Sequence, residues 1–106
     1  MSSKQQHPIT EILDQEFEFS LKELCQHLDL ESELLMEWVE EGVAQPRSRT
    51  GDEWRFGVRQ FKRVRLACSL RRDLGLDTPA LPLVLDLLEE RERLRQQVRM
   101  LKRLIE

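Results

Sequence analysis

Pro79 to Ile105 reads as one uninterrupted helix, and no other stretch constrains the fold as much. Thr78 fits its N-cap and Pro79 its first position, where a missing N–H costs nothing. At 1.5 Å per residue this run spans roughly 40 Å. Its first half is apolar nearly all round, through Leu81, Leu83, Val84, Leu85, Leu87 and Leu88. Its second half narrows to a seam. With Val84, Arg91, Val98 and Ile105 at a heptad's first core position, Leu87, Leu94 and Leu101 fall at the other, and Arg91 is the one mismatch. A chain of 106 residues has little left to cover so narrow and terminal a seam. The expectation is a coiled-coil-like homodimer through Leu87, Leu94, Val98, Leu101 and Ile105. The alternative is a helix that folds back on its own domain. Four of those side chains, at about 2 kcal/mol each when buried, hardly offset an association cost of roughly 4–15 kcal/mol. The Leu-rich first half must therefore contribute by docking on the partner domain.

Upstream, the pattern is mostly helical, with a helix-turn-helix, a small hairpin wing and a third helix. Ser20-Leu21-Lys22-Glu23 is a capping-box pattern. It opens a short helix with Leu21, Leu24, Cys25 and Leu28 on one face, and Asp29-Leu30 makes the turn. Residues 32–41 form the second helix, which Gly42 ends. Val43 to Pro46 and Trp54 to Phe56 predict two strands around a turn at Gly51. Residues 58–74 predict a helix with Phe61, Val64, Cys68 and Leu74 inward, stopped by Gly75. Residues 1–16 are expected to be a disordered or extended lead-in, 17–76 the winged helix-turn-helix domain, and 77–106 the dimerisation helix.

The second helix stands where a helix-turn-helix places its recognition helix, yet Glu31 to Glu41 holds five acids and no base. Leu34, Leu35, Trp38 and Val39 form its apolar stripe, and Glu33, Glu37, Glu40 and Glu41 occupy the opposite face. Glu33–Glu37 and Glu37–Glu41 are like charges at i,i+4, each costing roughly 0.2–0.5 kcal/mol. Glu40 and Glu41 also sit at the wrong end of the helix dipole. The isolated helix gains nothing from this arrangement. A DNA-reading helix needs the other sign, because phosphate neutralisation supplies most of the affinity. Three readings of the acidic face stand open: a solvated surface, internal neutralisation by Arg47, Arg49 or Arg55 of the wing, or a site for a basic protein partner. Trp38 reads as core. Trp54 reads either as core or as an exposed anchor for the partner.

The charge is unevenly spread. Residues 1–57 carry 5 Lys/Arg against 13 Asp/Glu, and residues 58–106 carry 12 against 7. The bases of the third helix (Arg59, Lys62, Arg63, Arg65, Arg71, Arg72) are the case for DNA, with Arg55, Arg59, Lys62 and Arg63 as phosphate clamps. They also suit pairing with another protomer's acids, or covering apolar surface with their stems. Catalysis has little support: there is no Tyr, no Gly-rich phosphate loop and no nucleophile near a base. Cys25, His27 and Cys68 lack metal-ligand spacing and a fourth ligand, so no metal and no cofactor are expected. Cys25 and Cys68 read as reduced core thiols of a cytoplasmic protein, and no window is apolar enough for a membrane span.

The element order resembles the MerR-type winged helix. Glu41-Gly42-Val43-Ala44-Gln45-Pro46, Trp54-Arg55-Phe56 and Leu70-Arg71-Arg72-Asp73-Leu74-Gly75-Leu76 carry that resemblance. More narrowly, the chain is similar to the CbpM family of chaperone modulators, a small MerR-like branch. The matching residues are Phe19 to Cys25, the acidic Leu30-Glu31-Ser32-Glu33-Glu37 segment, and Arg72 to Asp77 leading into Pro79-Ala80-Leu81. The resemblance covers about residues 17–105, and it favours antiparallel pairing of the long helix. It implies a non-enzymatic inhibitor that binds the J domain of a DnaJ-like co-chaperone, CbpA. J domains present a basic helix, so the acidic face would meet it, with Glu33, Glu37, Glu40, Glu41 and Trp54 as candidate contacts. DNA binding would then not be its task. The alternative is a MerR-type DNA-binding transcription regulator.

Overall fold

A computed structural model describes residues 9–50 and 53–106. The elements run α1 (Ile9–Glu16), β1 (Phe19–Ser20), α2 (Leu21–Leu28), α3 (Ser32–Glu40), β2 (Ser48–Thr50), β3 (Glu53–Phe56), α4 (Val58–Leu74), a 3-10 turn (Thr78–Ala80) and α5 (Leu81–Ile105). The expected architecture is therefore present: mostly helical, with a small antiparallel sheet and a long C-terminal helix.

The capping box forms as predicted. Ser20 Oγ accepts from the Glu23 amide at 3.1 Å, and the Ser20 amide donates to Glu23 Oε1 at 2.8 Å. That backbone bond to Ser20 is the main reason the Glu23 carboxyl sits below its ordinary value. Asp29 makes the turn into α3 with a left-handed backbone (φ 52°), which a short polar side chain tolerates.

The core is shared by all the helices from α2 onward and by the sheet. Leu24 comes from α2, Leu35 and Trp38 from α3, Phe56 from β3, Val64, Ala67 and Leu70 from α4, and Leu81 and Leu85 from α5. Burying each large member stabilises the fold by about 1.5–3 kcal/mol. The first half of α5 is thus part of the domain core. Beyond it the helix leaves the domain: residues 89–99 are all exposed. The helix does not fold back on its own domain.

Four expectations need correction. Residues 9–16 are not extended but form α1, packed against α4. Ile9, Ile12 and Leu13 have helical spacing. The first wing strand is Ser48–Thr50, not 43–46. The Val43 and Ala44 amides both donate to the Trp38 carbonyl (2.8 and 3.2 Å), folding those two buried residues over the end of α3. The sheet order is β1-β3-β2, with Phe19 opposite Phe56 and Arg49 opposite Trp54. The expected turn at Gly51 and the expected disorder of residues 1–8 lie outside the described residues.

The other two corrections concern the ends of α4 and α5. Leu74 is 67 % exposed, because Gly75 (φ 67°) turns the chain and Leu76 packs on the core in its place. Thr78 is not the N-cap of the long helix. Asp77 holds the cap position of the 3-10 turn, and α5 begins at Leu81. The Thr78 hydroxyl accepts instead from Trp38 Nε1 at 3.3 Å, which fastens the acidic helix to the root of α5. Thr78→Val keeps the shape and removes the acceptor. It is expected to cost about 1–3 kcal/mol by leaving a buried indole N–H unpaired, measured as a shift of the urea midpoint at constant slope.

Candidate protein-binding surface

The acidic face is built by α3. Its buried side is anchored by Leu35 and Trp38, both fully buried, with Leu34 and Val39 half-buried beside them. A helix anchored on that side turns its other side outward. Glu33, Glu37 and Glu40 are exposed there, and Glu41 follows as the C-cap. Gly42 (φ 83°) ends the helix in the backbone region that favours glycine.

The acids are not neutralised by the wing. Arg47 pairs with Glu18 at 3.2 Å and Arg55 with Glu53 at 3.5 Å. Among the described residues, no base lies within ion-pair distance of Glu33, Glu37, Glu40 or Glu41. The like charges within α3 therefore stand uncompensated, and the helix carries that cost.

Three features of this surface were missed in the sequence. Met36 is 41 % exposed and lies between the acids, so Glu33, Met36, Glu37 and Glu40 form one outward stripe at i, i+3, i+4, i+7. A thioether there offers a deformable apolar contact amid the charge. The acidity also continues onto α5. Asp86 and Glu89 both reach Arg63, at 3.0 and 2.9 Å, and the same guanidinium donates to the Gly42 carbonyl at 3.3 Å. Their carboxylates therefore lie beside the end of α3. Arg63 itself, legible as one base among several, is a largely enclosed tie under this seam. Its Nε donates to the Val43 carbonyl at 2.7 Å, and its side chain is only 10 % exposed. The periodicity of α4 marked Arg63 as a base, but nothing in it marked the burial.

The phosphate-clamp reading weakens accordingly. Arg63 is occupied by four acceptors and Arg55 is paired with Glu53. Trp54 is half-buried, packs on the core and meets Phe56 edge-on at 6.4 Å. Burial raises the thiol pKa of both Cys25 and Cys68, and both are free. No helix among the described residues is long and apolar enough to cross a membrane.

The seam residues stand uncovered. Leu87, Leu94, Val98, Leu101 and Ile105 are between 46 and 84 % exposed. Leu87, Leu94 and Val98 line a shallow trough along α5, flanked by Arg91, Arg95 and Arg99.

Residues 19–103 match the family model for MerR HTH family regulatory proteins. Several relatives bear the name chaperone modulatory protein CbpM. One from Pseudomonas entomophila is 35 % identical over 85 residues, covering 80 % of this chain and 84 % of the relative. One from Coxiella burnetii is 33 % identical over 92 residues, covering 87 % of each. One from Salmonella paratyphi A is 39 % identical over 83 residues, covering 78 % and 82 %. With a winged helix-turn-helix whose outward α3 face is acidic, and relatives matched along most of both chains, this chain belongs to the CbpM family of chaperone modulatory proteins within the MerR helix-turn-helix group.

Proposed function

We propose that this protein is a chaperone modulator that binds the J domain of a DnaJ-like co-chaperone, CbpA or its equivalent, and inhibits it. The observation that carries the reading is the outward face of α3. Uncompensated carboxylates and an exposed Met36 occupy the position from which a helix-turn-helix would read DNA. A basic amphipathic helix complements such a face in sign and offers apolar stems to the thioether. Charge complementarity of this kind mainly accelerates encounter and fixes orientation. Occupying a basic J-domain helix would block its use in delivering clients to an Hsp70-type chaperone.

In this reading the active species is a cytoplasmic homodimer paired through Leu87, Leu94, Val98, Leu101 and Ile105 of α5. Binding by Glu33, Glu37, Glu40 and Glu41 requires no cofactor, and Trp54 contributes at most an edge.

Titration calorimetry against the J domain encoded by the same organism tests the proposal. Association at about 150 mM salt is expected, weakening as salt rises because the contact is electrostatic. Duplex DNA is expected to bind weakly under the same conditions. Tight duplex binding with no J-domain binding would favour the other reading, a transcription regulator using Arg59 and Lys62 of α4.

A further inference from the structure

Arg63 lies at the junction of three elements and links two of them by polar contacts. It projects from α4. Its Nε and one terminal nitrogen donate to the Val43 and Gly42 carbonyls at the end of α3, at 2.7 and 3.3 Å. The other terminal nitrogen meets Asp86 and Glu89 of α5 at 3.0 and 2.9 Å. The planar guanidinium presents five donors in a fixed fork, so one side chain spans acceptors on two sides. A lysine ammonium is a point charge and cannot reproduce that span.

The burial is asymmetric. Arg63 is 10 % exposed, whereas Asp86 and Glu89 are 68 % and 53 % exposed. The cation is held inside while its counter-charges remain at the surface, beside Glu40 and Glu41. The guanidinium donates to the Gly42 and Val43 carbonyls just past α3, at the end of the dipole where a cation is favoured. The end of α3 is also held by the left-handed Gly42, by the buried Val43 and Ala44 with their amides on the Trp38 carbonyl, and by the Trp38–Thr78 bond. Of all these ties, only Arg63 brings it to the acids of α5.

We propose that Arg63 is a positioning residue. It locks the C-terminal end of α3 onto α5, so that Glu37, Glu40 and Glu41 of one helix and Asp86 and Glu89 of the other present a single acidic surface of fixed geometry. This rests on the reading of the acidic face as a protein-binding surface. Pre-ordering that surface removes part of the entropy lost on binding. Without Arg63 the carboxylates remain, but they repel one another and the end of α3 samples more conformations.

The test uses the full-length protein with Arg63→Met, Arg63→Lys and the pair Asp86→Asn/Glu89→Gln. Two quantities are read: hydrogen exchange by mass spectrometry, and J-domain affinity by calorimetry. In Arg63→Met the Val43 and Ala44 amides are expected to exchange about ten-fold faster or more, with α2 and the distal half of α5 unchanged. J-domain affinity is expected to fall about ten-fold, with Arg63→Lys restoring less than half of the loss on a logarithmic scale. The neutral pair keeps the bonds to the carbonyls but severs the tie to α5, and is expected to accelerate the same amides by a smaller factor. Unchanged exchange at Val43 and Ala44 overturns the proposal. So does faster exchange with unaltered J-domain affinity, which would make Arg63 a fold residue only. If circular dichroism shows Arg63→Met unfolded, Arg63→Lys and the neutral pair decide the same question. A wild-type protein that binds no J domain sinks the functional reading. The exchange data then judge whether Arg63 locks the two helices.

Discussion

Reversing the charge at Glu33, Glu37 and Glu40 is expected to abolish J-domain binding while leaving the fold intact. All three side chains are exposed on the outward face of α3, and none has an ion-pair partner among the described residues. Their replacement by Lys therefore removes no internal contact. The helix itself should lose little, although Glu33→Lys puts a cation in its first turn and, with Glu37→Lys, repeats a like-charge pair. An ammonium at position 40 lies at the favourable end of the dipole, and one at position 37 meets Glu41 at i,i+4 with opposite sign. Across the interface the effect is large, because each substitution turns an attraction into a repulsion. At roughly 1 kcal/mol per exposed charge pair in a high dielectric, three reversals amount to a loss of about 100-fold or more. Calorimetry measures the affinity, and thermal melting checks that the domain is intact. Unchanged affinity in a folded variant would move the site to the wing or to α4.

The second large effect is expected at the distal half of α5. If the chain pairs through α5 as proposed, Leu94→Asp combined with Leu101→Asp should convert a dimer to monomers, read by multi-angle light scattering at micromolar concentration. Leu94 is 46 % and Leu101 58 % exposed in the single chain, so the monomer tolerates the change at little more than a helix-propensity cost. In a paired state the same positions are buried, and each carboxylate left without a partner costs several kcal/mol. Leu83 and Leu87, 65 % and 61 % exposed, continue the apolar stripe towards the domain. In the proposed dimer they would supply the additional area that the distal residues lack against the cost of association. A dimer that survives both substitutions places the interface elsewhere. A variant that loses the dimer and keeps J-domain affinity separates pairing from recognition.

Much of the architecture was legible because periodic signals are local. The capping box at Ser20 and Glu23, the limits of α4 at 58 and 74, and the stop at Gly75 all follow from side chains within a few residues of one another. The stripe of Leu34, Leu35, Trp38 and Val39 was legible for the same reason, and it alone places the acids on the opposite face. The family was legible too, in the acidic α3 segment and in the run from Arg72 to Asp77. What misled was short and two-sided. Phe17 and Phe19 alternate with acids like a strand, and only β1 at Phe19–Ser20 pairs, while Ile9–Glu16 is helical and residues 17–18 only link the two. Val43 to Pro46 has strand composition, yet the Val43 and Ala44 amides are taken by the end of α3.

The sequence by itself determined the helical periods, the capping box at Ser20 and Glu23, the inverted sign of the α3 face and the C-terminal run of α5 to Ile105. Each depends on spacing along the chain, and spacing can be read without a fold. The tertiary structure alone decided which polar groups meet across elements. Thr78 accepts from Trp38, forty residues away, instead of capping its own helix. Arg63 is largely enclosed between α3 and α5 instead of standing in a basic stripe. Both are hydrogen-bond choices made on burial. A donor or acceptor withdrawn from water must take the partner within reach, and only the packing of distant elements determines which partner that is.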